Sequence, residues 1–363
     1  MVTITKDSVE TVSLKSGITK LKEKYREVKK SWNNLILKWC SLHPLASSFY
    51  YFWISPAFRR EHQGVICGKL RYEELIKSAH NSSYLLRRNT HRLEKGLLMK
   101  PRREVFATEY ISETVDSYRN TLLANEKNAV VEDELQWAYD VIQEYFTIVG
   151  SHPDVDRAKE KFLSLKHLCD RQQYIPYKRN IDLPSPVNYE QFQELSHRRR
   201  SVRWYLPKPV PRELLDKAIS VASLAPSACN RQPFKFRIFD EPELVQQVSQ
   251  LPMGTKGFSH NFPAIIAVVG QLSAYFNERD RHLIYIDGSL ASMSFMYALE
   301  TLGLSSCPIN WPDIETREQK MSSLLGLDPE ERVIMLISVG YPDPEGMVAY
   351  SQKKSLNQIR KYN

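Results

Sequence analysis

The chain is short of glycine, with 13 in 363 residues, and none of them falls into a Gly-x-Gly-x-x-Gly run. That absence argues against a Rossmann cradle for a tightly held nicotinamide dinucleotide. Cysteine is scarce and odd in number: Cys40, Cys67, Cys169, Cys229 and Cys307. No two of them form a Cys-x-x-Cys pair, which excludes the usual zinc ribbon and suggests a reduced, cytoplasmic chain rather than a disulfide scaffold. No long uninterrupted apolar run is present. The most apolar stretch, "LILKWCSLHPLASSFYYFWI", is broken by Lys38, His43 and Pro44. A spanning helix needs about 20 consecutive apolar residues, so none is expected. The opening "MVTITKDSVETVSLKSG" has no apolar core of the signal-peptide kind. Internal repeats, low-complexity tracts and base-stacking aromatic motifs are also missing, and nucleic acid is not an expected partner.

What is there fits a globular protein: 42% apolar and 25% charged residues. The length allows one large or two ordinary domains with real cores. A net charge of +8 favours anionic partners, among them phosphorylated cofactors, acidic membrane surfaces and polyanions.

Texture divides the sequence near residue 180. Residues 1–180 show helical periodicity and no convincing strand, and predict an all-α region. Helices are expected over roughly Arg71–Leu93, Tyr110–Asn125, Asp133–Val149 and Asp154–Leu168. Ile18, Leu21, Tyr25, Val28, Trp32, Leu35 and Trp39 recur at spacings of three and four, one face of a further helix. Lysines lie between them. The expectation is a helix packed on its own core with a solvated charged side, because Glu23 and Glu27 dilute the cations. The alternative is a basic amphipathic helix on an anionic membrane.

"IDLPSPVNYE", with Pro184 and Pro186, reads as a linker. Residues 181–363 then alternate helices (Tyr189–Arg199, Pro211–Ala225, Glu243–Leu251, Asp287–Leu302, Ile314–Leu325) with the strand-like runs "FKFRIFD", "AIIAVVG" and "VIMLISVGY". Pro211 suits a first helical turn and Asp313 a helix N-cap. This pattern predicts an α+β layer covered by helices.

Four segments could carry chemistry. In "SHRRRSVRWYLPKPVP", Arg199 and Arg203 would share a helix face, with Arg200 and Ser201 between them. Guanidinium forks and a hydroxyl can hold a phosphate monoester. Cations at a helix C-terminus also complement its dipole without any ligand. In "APSACNRQPFKFRIF", the hydroxyl of Ser227 and the amides of Asn230 and Gln232 match the alternating edge of a heterocycle, on a loop stiffened by Pro226 and Pro233. The same residues serve ordinary turns. "GLSSCPINWPD" reads as a helix cap at Gly303 followed by a loop of small residues. The tail "SQKKSLNQIRKYN" is basic.

In that order the segments resemble the FMN-dependent nitroreductase family from Tyr189 to Asn363. The resemblance implies a mostly antiparallel central sheet flanked by helices, a homodimer, and a flavin site built from both subunits. It implies that Arg199, Arg200, Ser201 and Arg203 hold the FMN phosphate and ribityl chain. Pro226, Ser227, Ala228, Asn230 and Gln232 match a loop against the flavin, usually of the partner subunit. Pro308, Ile309 and Asn310 match a loop over the ring, with the Asn310 N–H toward N5, and Lys353 a cation near the phosphate. Thr255 or Lys256 would reach the pyrimidine edge. Two positions depart from the family pattern: Ser355 replaces a common arginine, and Trp311 replaces a glycine beside the ring. The implied activity is hydride transfer from NADH or NADPH through FMN to an acceptor such as a nitroaromatic, a quinone or a polysaccharide-pathway intermediate. A flavin dehydrogenase acting on a sugar- or peptide-linked substrate is a variant of that activity. Cys229 and Cys307 are read as small buried side chains, and no side-chain nucleophile or metal is expected.

"NTHRLEKGLLMKPRREVFATEYI" is similar to a helical extension of nitroreductase-like proteins encoded near bacterial surface-polysaccharide genes. There His91 and Glu94 share a helix face and are expected to form a buried structural pair that fixes the extension against the flavin domain, the alternative being a role in substrate binding, with Lys95 and Gly96 ending the helix. The competing reading of the whole chain is a degenerate flavin fold that docks on a membrane surface or a polysaccharide enzyme.

Overall fold

The computed structural model describes residues 6–77, 83–128, 132–165 and 174–363. By compactness it divides into Met1–Glu61 and His62–Asn363. The compositional boundary near residue 181 falls inside the second unit. Cys169 and the expected helix end at residues 166–168 lie outside the described residues.

The first unit contains α1 (Lys6–Cys40), α2 (Pro44–Phe49) and one π-helical turn, Tyr50–Ile54. Pro44 opens α2, and the Leu45 N–H donates to His43 Nδ1 at 3.2 Å. Neither α2 nor the π turn contains a buried residue. The expectation that α1 packs on a core is not met. Leu21, Tyr25, Val28, Trp32, Leu35 and Trp39 are all exposed.

The next helix is α3 (Arg59–Lys77), followed by α4 (Ser83–Leu98), α5 (Ile111–Asn128), α6 (Glu132–Ile148) and α7 (Pro153–Leu163). The helix expected over Arg71–Leu93 falls on the end of α3 and most of α4, with residues 78–82 outside the described residues. α4 also runs past Lys95 and Gly96. Gly96 admits the Phe106 ring against the helix: a Cβ there would lie 2.3 Å from it. α4 to α7 share one apolar core, with Leu93, Tyr118, Ile142 and Tyr145 fully buried.

Residues 174–187 contain no helix or strand. α8 (Tyr189–Arg198) starts at an Asn188–Gln191 capping box, which satisfies two otherwise orphaned N–H groups. Then come α9 (Arg212–Ala222), β1 (Phe234–Phe239), α10 (Pro242–Ser249), β2 (Ala264–Gln271), α11 (Leu283–Thr301), β3 (Ser305–Asn310), α12 (Glu315–Leu325), β4 (Glu331–Gly340) and α13 (Leu356–Ile359). The sheet order is β1-β2-β4-β3, and every pair is antiparallel. This is the α+β architecture with a helix-flanked antiparallel sheet that the sequence predicts.

The two-residue period of β2 explains the layering. Ala264, Ile266 and Val268 join the core beneath α9 and α11, while Ile265, Ala267 and Val269 join the core beneath α10 and α12. A strand buried on both faces reads as a continuous apolar run, which is why "AIIAVVG" is legible. β3 is not: the sequence suggests a loop there. Its Pro308 lacks an N–H, and a proline is tolerated because β3 is an edge strand. Asp313 does not cap α12. Ile314 holds that position, and Asp313 pairs with Arg332 at 2.9 Å. Pro211 precedes α9 as its N-cap, and Gly303, at φ +75°, follows the C-cap of α11 in the left-handed conformation.

Candidate functional site

α8 stops at Arg198, so Arg199 to Arg203 do not share a helix face. The segment is non-helical and lies beside the start of β3. Ser201 bridges Ser306, and the Val202 N–H donates to the Ser306 carbonyl at 3.1 Å. This placement gathers polar groups that are not all satisfied. Arg199 Nε and Ser306 Oγ are buried without a hydrogen-bond partner among the described residues. A buried guanidinium donor with no acceptor is an uncommon and costly state that an anion would relieve. Burial pushes the nearby Cys307 thiol above its ordinary value, with Arg203, Ser201 and Arg199 opposing that rise. Cys307 is therefore a buried thiol, as expected, whereas Cys229 is only half-buried, at a left-handed position of the Pro226–Gln232 loop.

Arg203 donates to the Ser201 carbonyl at 3.3 Å and lies over the Phe258 ring. Arg200 points elsewhere, and its guanidinium donates to the carbonyls of Ala349, at 2.6 Å, and of Tyr350. It thereby ties the tail to the arginine segment, and Lys353 follows three residues later on exposed chain. Ser355 caps α13 through a box with Gln358. Of the two candidates near the next loop, Thr255 is buried while Lys256 is exposed. The Thr255 hydroxyl donates to the Pro252 carbonyl at 3.4 Å.

The Pro226–Gln232 loop is built differently, because its hydrogen-bonding groups are mostly used within the chain. Asp287 Oδ2 accepts from Ser227 Oγ at 2.7 Å and from the Ala228 N–H at 2.9 Å. Ser227 Oγ in turn accepts from the Gln232 N–H at 2.8 Å. The Gln232 amide donates to the Ser223 carbonyl at 2.9 Å and accepts from Arg87 at 3.3 Å. Arg87 Nε, from α4, donates to the Asn230 carbonyl at 2.7 Å, and its guanidinium pairs with Glu134 of α6. These contacts hold Cys229, Asn230 and Gln232 at φ of 53°, 51° and 49°. Left-handed backbone at three non-glycine residues persists only where surrounding bonds over-determine it. The Asn230 side chain alone among the loop's amides makes no hydrogen bond to a described residue.

The loop forms one wall of a cleft of about 1200 Å³. The opposite wall comes from α4 and α6, with Arg87, His91, Glu94 and Trp137. His91 Nδ1 pairs with Glu94 at 2.9 Å, as expected, although both side chains are half-buried rather than buried, and Trp137 Nε1 donates to the other Glu94 oxygen at 3.0 Å. Sequence reasoning misses Arg87, Trp137 and Asp287. Asp287 does leave a signal, as a lone carboxylate in the otherwise apolar stretch "LIYIDGSLASM".

Pro308, Ile309 and Asn310 lie on β3 rather than in a loop. Ile309 is buried in the sheet core and Asn310 is exposed at the strand's end. Trp311 follows directly at the end of β3. Its indole is buried in the same core and donates to Glu318, itself within 3.8 Å of Arg332. No group of three or more potential metal ligands occurs among the described residues.

Residues 197–256 and 243–341 match the nitroreductase family. The C-terminal half of the chain carries a nitroreductase-family domain. The match does not extend to the helices before α8. Human iodotyrosine deiodinase 1 is 23% identical over 254 residues, covering 61% of this chain and 84% of that protein. The iodotyrosine deiodinase of Hydra vulgaris is 25% identical over 230 residues, covering 53% and 80%. A solved FMN-dependent nitroreductase from Clostridium difficile is 26% identical, covering 46% of this chain and 95% of its own, with a TM-score of 0.39. The residues that match the family include the antiparallel sheet, the arginine segment and the Pro226–Gln232 loop.

Proposed function

We propose that the chain is an FMN-dependent oxidoreductase that draws on NADH or NADPH and acts as a homodimer. The observation that carries the reading is the buried, unpartnered Arg199 Nε beside Ser201, Arg203 and Ser306, a donor set suited to a phosphate monoester. FMN, when bound, supplies the two-electron hydride chemistry. The chain's own residues do the holding. Arg199, Ser201 and Arg203 bind the phosphate end, and Arg200 positions the tail so that Lys353 adds charge. Asn230 offers a free amide to a ring edge, on a loop fixed beforehand by Asp287 and Arg87. That loop serves the partner subunit's cofactor, and Lys256 supports the pyrimidine side. The strand bearing Pro308, Ile309 and Asn310 presents backbone toward the ring. Buried Cys307 takes no part. Trp311 and Ser355, the two departures from the family pattern, have structural partners and leave the phosphate donors untouched.

The test is a flavin spectrum of the purified protein, reconstituted with FMN if needed, followed by anaerobic titration with NADH and NADPH. Bleaching of the flavin band by one donor, and recovery with a nitroaromatic, quinone or iodotyrosine acceptor, is the expected result. Arg203→Glu is expected to abolish FMN retention. A chain that cannot be reconstituted with FMN would remove the proposal.

A further inference from the structure

α1 presents an exposed apolar stripe. Leu21, Tyr25, Val28, Trp32, Leu35 and Trp39 alternate at spacings of four and three, with exposures from 49% at Val28 to 76% at Leu21. Single exposed apolar residues are ordinary, but a continuous stripe is not. A second exposed group follows in the same unit: Phe49, Phe52 and Trp53, each at least 60% exposed. Residues 20–54 carry seven lysines and arginines against Glu23 and Glu27, a net charge of +5 within a chain of net +8.

The stripe has heptad spacing, so a second copy of the helix is one conceivable cover. The flanks argue against it. Lys22 and Lys29 border one side of the stripe, and Lys24 and Lys38 the other. Two copies would set lysine against lysine in either orientation, where paired helices normally place opposite charges. Glu23 and Glu27 lie away from the seam and relieve nothing. The same arrangement suits an anionic lipid surface. Lysines beside an apolar stripe extend along it and put their ammonium groups among headgroup phosphates. Tryptophan and tyrosine favour that boundary, where an apolar ring body and a polar N–H or O–H are both satisfied. No helix among the described residues is long and apolar enough to cross a membrane. We infer that the first unit lies on anionic membrane surfaces through the Leu21–Trp39 stripe and its lysine flanks, with the Phe49–Trp53 aromatics inserted beside it.

The experiment is flotation of the full chain with phosphatidylcholine vesicles, with and without phosphatidylglycerol. Binding is expected only to the anionic vesicles and is expected to fall as salt is raised. Combining Lys22→Gln, Lys24→Gln and Lys29→Gln removes about 1 kcal/mol each, on the order of a hundredfold in partitioning. Trp32→Glu with Trp39→Glu abolishes flotation while the flavin spectrum and circular dichroism are kept. Equal binding to neutral vesicles, or binding unchanged in these variants, overturns the inference. So does a chain that does not float but forms an assembly that Trp32→Glu dissociates, since a second copy would then be the cover. The flavin reading stands or falls separately, by the spectrum alone.

Discussion

The arginine segment and the Pro226–Gln232 loop belong to one domain and give the same kind of sequence signal, yet they treat their polar groups in opposite ways. In the loop, Ser227, Gln232 and two backbone N–H groups are committed to Asp287, Arg87 and one another. In the arginine segment and the β3 residue it bridges, Arg199 Nε and Ser306 Oγ are buried with no hydrogen-bond partner among the described residues. Such bonds rigidify a site before ligand arrives, and the unpaired donors define where the ligand's charge must go. Rigidity and affinity therefore reside in different segments, and mutations should separate them.

The largest separation is expected at Asp287. Asp287→Ala leaves the Ser227 hydroxyl and the Ala228 N–H without their buried acceptor, at a cost of about 2–4 kcal/mol. It also releases three residues from left-handed backbone. Urea denaturation of the FMN-free protein should show that loss directly. Unchanged stability would mean that the loop is held by Arg87 alone.

The contrast also explains how much is legible in the sequence. The antiparallel sheet and its covering helices are visible because β2 and β4 are apolar runs between turn residues. β3 is hidden by Pro308, an edge-strand feature that resembles a loop signal. The arginine cluster is visible as composition, but its spacing of four suggests a helix face, whereas the segment is extended along β3. The clamp on the loop cannot be read at all, because Arg87 lies 143 positions from Asn230 and nothing local in α4 announces the contact. The α1 stripe is plain in the periodicity, but whether a core covers it depends on contacts that periodicity does not encode.

Arg199→Met tests the other side of the comparison. The variant keeps an unbranched chain out to the position of Nε and removes the unpaired donor with the rest of the guanidinium. FMN affinity, followed by quenching of flavin fluorescence, should fall by about ten- to a hundredfold, the worth of a hydrogen bond to a charged group. Below the pH range in which Glu300 ionises, stability of the FMN-free protein should hold or rise, because an unsatisfied buried polar atom has gone. A large loss of stability with no loss of affinity would reverse the roles assigned to the two segments.

The smallest effect is a pH dependence near the same arginines. Glu300, at the end of α11, has a side chain only 4% exposed; it accepts from Ser305 Oγ at 3.1 Å and lies 3.7 Å from Arg198. Burial pushes its carboxyl above the ordinary value, opposed by Ser305, Arg198 and Arg199. With the folded value above the unfolded one, the native state holds its proton to higher pH. Stability is therefore unaffected well below the ordinary carboxylate range, falls as pH rises from that range through the raised folded value, and then levels off. Glu300→Gln should lack that decline, so wild type minus variant, measured by urea denaturation across a pH series, slopes downward in this window. Arg199→Met removes one of the opposing charges and should extend the slope to higher pH. If the slope is identical in wild type and Glu300→Gln, the titrating group is another carboxyl. If Arg199→Met leaves the slope in place, the guanidinium does not act on Glu300, and its unpaired Nε becomes the stronger sign of a site held open for an outside anion.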